Sequence, residues 1–195
     1  GVNPQNGNAL WRNEEGLLTE NYGEARRINA GSPEPLWTGG FNTELSWKGI
    51  SLGIQLEARY GNKVLNQDRS LFEADGSYGD QNIWKGAMNY WKKPGDTNVL
   101  PKPVYNNSSN SSAISTRYLE DGSYLRIKDI TLAYNLPSKW TKKALMSGVR
   151  IYASALNLYT FHNMNYWDPE HGTTGATIIS YPMTRSMIVG VDITF

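Results

Sequence analysis

From Trp37 onward, apolar and polar residues alternate along the chain. Trp37, Gly39, Phe41, Thr43, Leu45 and Trp47 share one parity, and Thr38, Gly40, Asn42, Glu44, Ser46 and Lys48 share the other. Period two is the signature of a strand with one dry and one wet face. Lys48-Gly49 predicts a tight reversal. The run after it puts Ile50, Leu52, Ile54, Leu56, Ala58 and Tyr60 on one side and Ser51, Gly53, Gln55, Glu57 and Arg59 on the other. A third strand is predicted over residues 123–136, where the parity slips: Leu125 and Ile127 are odd, whereas Ile130, Leu132, Tyr134 and Leu136 are even. A β-bulge near Lys128-Asp129 would return both sets to one face. Residues 137–148, opening on Pro137 and closing on Gly148, predict a short helix. Residues 149–159 predict a fourth strand of mixed facing, and 183–195 a fifth with Met183, Met187, Val189, Val191, Ile193 and Phe195 on one parity.

Between these strands the pattern dissolves. Residues 1–36 are rich in Gly, Asn and Pro and read as loop with at most a short hairpin. Residues 61–117 form a long insertion, with a helix expected near 68–72 and a Ser/Asn tract over 106–112 expected to be mobile. Two Asn-Ser-Ser sequons in that tract, at Asn107 and Asn110, are what such a composition gives by chance. A second long loop covers 161–182. Short turns therefore alternate with long loops, the asymmetry of outer-membrane barrels. If the chain's end is periplasmic, so are the Lys48-Gly49 turn and the 137–148 helix, and both long loops face outward.

Composition changes the picture in three ways. Nineteen basic and 18 acidic residues leave a net charge of +1, so no field steers nucleic acid, and none is expected as a partner. The chain has no cysteine, which removes disulfides, thiolate metal sites and cysteine nucleophiles. Mean hydropathy is −0.54, with no stretch approaching the roughly 20 apolar residues of a spanning helix. Barrel strands escape such a scan, because only alternate residues meet lipid. Seven Trp and 12 Tyr against four Phe favour rings with a polar handle, as at membrane interfaces and carbohydrate or peptide sites. No signal peptide is visible at Gly1, which reads as a processed chain or a fragment.

Several segments together resemble the SusC/RagA family of TonB-dependent outer-membrane transporters of Bacteroidota. The likeness is carried by Arg117-Tyr-Leu-Glu-Asp-Gly-Ser-Tyr-Leu-Arg-Ile-Lys-Asp-Ile-Thr-Leu-Ala-Tyr-Asn-Leu-Pro137 and by Val149-Arg-Ile-Tyr-Ala-Ser-Ala-Leu-Asn-Leu-Tyr-Thr-Phe161. Asp168-Pro-Glu170, the closing run from Tyr181 to Phe195, Pro35-Leu-Trp-Thr-Gly-Gly-Phe-Asn-Thr43 and Arg59-Tyr-Gly-Asn-Lys63 complete it. It covers roughly residues 20–195 and is weakest over 61–117. The resemblance implies an all-β fold: an antiparallel up-and-down meander forming the C-terminal strands of a transmembrane β-barrel, with long outer loops and one short helix. It also implies an importer of glycans or peptides in the outer membrane, serving nutrient uptake without a cofactor. Its partners would be a SusD-like surface lipoprotein, the TonB complex through an N-terminal part outside this chain, and the barrel-assembly machinery, for which Phe195 would be the assembly signal. Five strands alone cannot close a barrel and would leave two open edges.

Candidate residues follow from chemistry. Trp37, Trp47 and Tyr60 bracket the first hairpin's apolar face and are expected as membrane-interface anchors. Gln55, Glu57, Arg59, Arg126 and Arg185 fall on polar positions and are expected to line the lumen or, more often for buried charge, to contact a plug. Trp84, Tyr90, Trp91, Tyr166 and Trp167 lie in the long loops as stacking platforms for cargo, although a loop aromatic is as often a packing anchor. Catalysis has little support: no nucleophile elbow is present. The group Asp168, Glu170 and His171 is interrupted by a Pro and reads as a solvated loop rather than a metal site, so no metal and no enzymatic activity are expected. A soluble β-sandwich adhesin or carbohydrate-binding module is the alternative, and a barrel enzyme a distant third. Packing of the Trp37/Phe41/Leu45/Trp47 face against a second sheet would select the sandwich.

Overall fold

The computed structural model describes residues 1–107, 109–170, 175–177, 181 and 183–195. The chain divides into two compact units. The larger by contacts comprises Ser32–Lys63, Asp121–Thr173 and Tyr181–Phe195 and is built on one five-stranded antiparallel sheet. Its strands are β3 (Trp37–Trp47), β4 (Ile50–Tyr60), β7 (Tyr124–Asn135), β8 (Gly148–His162) and β10 (Ser186–Thr194), in the order β10-β8-β7-β4-β3. Each long strand thus lies beside its sequence neighbour, an up-and-down meander with β3 and β10 as open edges.

The registers explain why alternation was legible. Leu45, Leu52, Leu132, Ala153 and Val189 are successive cross-strand partners and form one row over all five strands. Thr43, Ile54, Ile130, Ala155 and Met187 form the next, and Trp47, Ile50, Tyr134, Ile151 and Val191 the row at one end. Direct partners share a face, so the five apolar sets lie on one side of the sheet. That side is open: Trp37, Phe41, Leu45 and Trp47 are 57, 57, 61 and 68% exposed. A sandwich would bury them, and the sandwich alternative is thereby excluded.

The parity slip has the predicted cause. Gln55 pairs with Asp129 and Leu56 with Ile127, leaving Lys128 as the extra residue of β7. Across the next pair, Ile127 faces Tyr159 and Asp129 faces Leu156, so β8 takes up two residues there, with Asn157 at φ 50. Asn tolerates this left-handed conformation better than most residues. Stacked bulges put Ile130 and Ile127 on one face despite their opposite parities. At the β3–β4 reversal, Lys48 and Gly49 have φ 48 and 86, the two positive values that a type I′ hairpin turn needs.

The connection after β7 is shorter in helix than expected. Only α2 (Ser138–Thr141) is α-helical, followed by the 3-10 turn Lys142–Ala144, and Leu145 ends it in the left-handed region at φ 58. Backbone bonds from Leu136 N–H to Val149 O (2.9 Å) and from Ser147 N–H to Thr194 O (2.7 Å) tie the ends of this connection to the sheet.

The second unit comprises Gly1–Gly31, Val64–Glu120 and Thr174–Ser180. It holds the short hairpin β1 (Trp11–Arg12) and β2 (Leu18–Thr19), and a small sheet in the order β6 (Leu119–Asp121), β5 (Lys63–Asn66), β9 (Ala176–Thr177), in which β5 and β9 run parallel. The helix α1 (Gln67–Glu73) follows β5, its first turn capped by the Asn66 side chain, which accepts from Arg69 N–H. The core here is ionic as much as apolar. Arg69 holds Glu73 at 2.7 Å and Glu120 at 2.8 Å, while Arg117 holds Asp75 at 2.6 Å. Tyr118, fully buried, lies beneath both guanidiniums, and its burial pushes the phenol above its usual range, against the pull of Arg117. In the Ser/Asn tract, Asn107 bonds Ser109, Ser111 and Ser112, and Ser111 Oγ donates to Asp75.

Candidate functional site

The polar face of the five-stranded sheet gathers the chain's chemistry. Opposite the apolar rows lie Gly40, Glu57, Arg126 and Thr160, and beside them Thr38, Arg59, Tyr124 and His162. Arg126 is fully buried. Its Nη1 and Nη2 donate to Glu170 and Asp168, its Nε donates to Thr160 Oγ1 at 2.9 Å, and its guanidinium lies 5.4 Å from the Tyr124 ring. A second cation extends the group: Lys128 Nζ is 2.7 Å from Glu57 and 3.5 Å from Glu170. Tyr124 O–H donates to the other oxygen of Glu57 at 2.7 Å.

The loop after β8 is shaped to supply both carboxylates. Asp168 Oδ1 also accepts the backbone N–H of Glu170 at 2.9 Å, which turns the chain so that one three-residue step aims two acids at one guanidinium. Pro169 between them is fully buried. A buried arginine needs compensation on every side, and here two carboxylates, a hydroxyl and a ring supply it.

Of the expected lumen residues, Glu57, Arg59 and Arg126 therefore come together, with Arg126 held by partners of its own chain. Gln55 lies on the same face opposite Asp129 and is exposed. Arg185 precedes β10, which begins at Ser186, and is exposed. Arg59 lies 5.8 Å from the Tyr124 ring and, with Thr38, Gly39, Glu57 and Ala58, lines a hollow of about 350 Å³. Asp168 and Glu170, read from sequence as a solvated loop, are the partners that reasoning missed. No local signal joins them to a strand residue more than 40 positions earlier; only the Asp-Pro-Glu resemblance marked them. His171 lies outside the described residues. Among the described residues, no cluster of His, Cys, Asp and Glu fits a metal ion.

The aromatic candidates separate. Trp37 and Tyr60 are direct partners at one end of the apolar face and Trp47 closes the other, all three exposed. Phe195 follows β10 and is exposed. In the second unit, Trp91 is a packing anchor and not an open platform: it is buried, its indole N–H donates to Pro4 O at 3.1 Å, and a Cβ at Gly7 would lie 2.6 Å from its ring. Trp84 stacks on Phe72 with centroids 4.9 Å apart, and Tyr90 lies beneath the Lys92 amine. In the loop after β8, Tyr166 is exposed with φ 67, a costly backbone conformation for an aromatic residue, and Trp167 is half-buried.

A meander with one open apolar face, aromatic ends and a charged opposite face defines a piece of an outer-membrane β-barrel wall. No family model matches the chain. It is 31% identical over 182 residues to TonB-dependent receptor P3 of Formosa agariphila, and 28% identical over 179 residues to TonB-dependent receptor P26 of the same organism. These alignments cover 88% and 85% of this chain and 17% of each relative, so the chain spans about a sixth of their length. Among solved structures it superposes on the RagAB peptide transporter with a TM-score of 0.82 and 29% identity, over 100% of this chain and 22% of that one. The RagAB peptide importer in its open-open state gives the same TM-score at 28% identity. The chain belongs to the SusC/RagA family of TonB-linked outer-membrane receptors.

Proposed function

We propose that this chain is part of the wall of a TonB-dependent outer-membrane importer that takes up peptides or glycans together with a SusD-like surface lipoprotein. The observation that carries the reading is the one-sided sheet: five strands present exposed apolar rows on one face and a paired charge network on the other. The apolar face meets lipid between the Trp37/Tyr60 and Trp47 ends. Ten residue steps of about 3.3 Å, tilted by about 40°, separate those ends by roughly 25 Å along the membrane normal, the height of a barrel's apolar band. The polar face lines the lumen, where Arg59 and Gln55 are open to cargo or to a plug. Trp84, Tyr90, Tyr166 and Trp167 are the aromatic contacts proposed for cargo. The peptide class is supported by the likeness to proteins described as peptide transporters.

In-frame deletion of the full-length gene in its host tests this. Growth on peptides as the nitrogen source, or on oligosaccharides as the carbon source, should fail and return on complementation, with the protein in the outer-membrane fraction. Recovery of the full-length protein in the soluble fraction, or unaltered growth on both nutrients, would refute the reading.

A further inference from the structure

The Trp47 end of the sheet is at once aromatic and basic. The turn after β7 carries Lys139, Lys142 and Lys143, all exposed, and among the described residues none of the three is in an ion pair. Lys48, in the neighbouring hairpin turn, holds its amine 4.6 Å over the Trp47 ring. Trp140 is 61% and Leu145 89% exposed. The nearby carboxylate Asp192 is matched by Arg150 at 3.5 Å, so it does not neutralise the lysines.

The turn is also held firmly. Thr141 is buried, Trp140 N–H donates to Pro137 O at 2.9 Å, and Met146 N–H donates to Thr141 O at 3.1 Å. The backbone that carries these cations is thereby held beside the Trp47–Ile50–Tyr134–Ile151–Val191 row, the last of the apolar face. Apolar wall, then aromatic rings, then ammonium groups is the order in which a lipid leaflet presents acyl chain, interface and phosphate.

We propose that residues 138–145 together with Lys48 form a binding site for the headgroup phosphate of anionic phospholipids in the leaflet at this end of the barrel wall. The proposal rests on the reading of the sheet as a membrane wall. Charge complementarity and continuity with the apolar face select a lipid over an acidic protein segment, which would not need the exposed Trp140 and Leu145 beside the acyl-facing rows.

A fluorophore on Ser147→Cys, in the full-length protein with any other cysteine replaced, gives a local readout in phosphatidylcholine vesicles. A minor fraction of brominated phosphatidylglycerol should quench it as though enriched about fivefold or more over the same fraction of brominated phosphatidylcholine, since each engaged lysine contributes about that factor at low salt. K139Q/K142Q/K143Q should abolish the preference, high salt should weaken it, and the triple Lys→Arg variant should keep it. Equal quenching by the two lipids in the wild type, or an unchanged preference in the Gln variant, overturns the proposal. Failure of the full-length protein to insert into vesicles would instead overturn the membrane reading beneath it.

Discussion

Arg126 shows how much one buried charge decides. With both carboxylates of the Asp168–Glu170 step on its guanidinium, its removal leaves two acids facing a polar wall without their main counter-ion. Arg126→Ala should cost about 3–5 kcal/mol of stability and free the loop after β8 for proteolysis, measured by urea unfolding and limited digestion of the full-length protein. Glu170→Gln should cost less, because Asp168 and Thr160 remain. At Glu20, side-chain amides of Asn8, Asn6 and Asn3 donate at 2.7, 2.8 and 2.6 Å and hold the carboxyl below its usual range, against a small opposing effect of burial. A folded-state pKa below the unfolded one adds stability above the ordinary carboxylate value, which is lost as pH falls through the folded-state value. Protection of the amides of residues 3–8, taken as the exchange rate relative to the unfolded chain at the same pH, should therefore fall on acidification below about pH 4 and should change little over that range in Glu20→Gln.

At the scale of elements, turn chemistry and bulges matter more than propensity. The β3–β4 hairpin was readable because every local choice agrees: period two on both strands, a two-residue reversal, and Gly at the second turn position. Gly49 is needed twice, for its φ of 86 and because a Cβ there would lie 2.9 Å from Asn135 O. Gly49→Val should destabilise by about 2 kcal/mol or more and lower the folded yield in refolding assays. The bulge at Lys128 was readable from parity alone, whereas the second one around Asn157 was not, since the odd residues Ala155 and Tyr159 keep the same facing across it. The charge clasp on Arg126 and the parallel β5–β9 pair escaped sequence reading for a common reason. Partners more than 40 and about 110 residues apart leave no periodic trace, and two-residue strands such as β9 are too short to show one.

For the whole molecule, the proposed membrane wall predicts that the two faces of one sheet meet two solvents. Arg at Met187, in the middle row of the apolar face, should cost about 2–4 kcal/mol in bilayer refolding, the range for a cation near the midplane of a barrel's lipid face. Arg at Gln55, exposed on the polar face, should change stability by no more than about 0.5 kcal/mol. Equal costs at the two positions would mean that the faces do not meet different media. The second unit shows that a long insertion rich in Ser, Asn and Gly can be structured through ion pairs and amide bonds where apolar residues are few.

The sequence by itself determined the five long strands, the facing of all but the fourth, the first turn and the first bulge, because each is a short-range consequence of alternation, glycine and parity. It also carried the family, through runs of residues that pattern alone does not explain. Tertiary structure alone decided which charges are satisfied from within the chain, which loop aromatics are packed and which are open, and that the lysines after β7 gather beside the aromatic end of the apolar face. Those outcomes depend on groups brought together by strand registers and turns across tens of residues, where sequence distance says nothing about spatial distance.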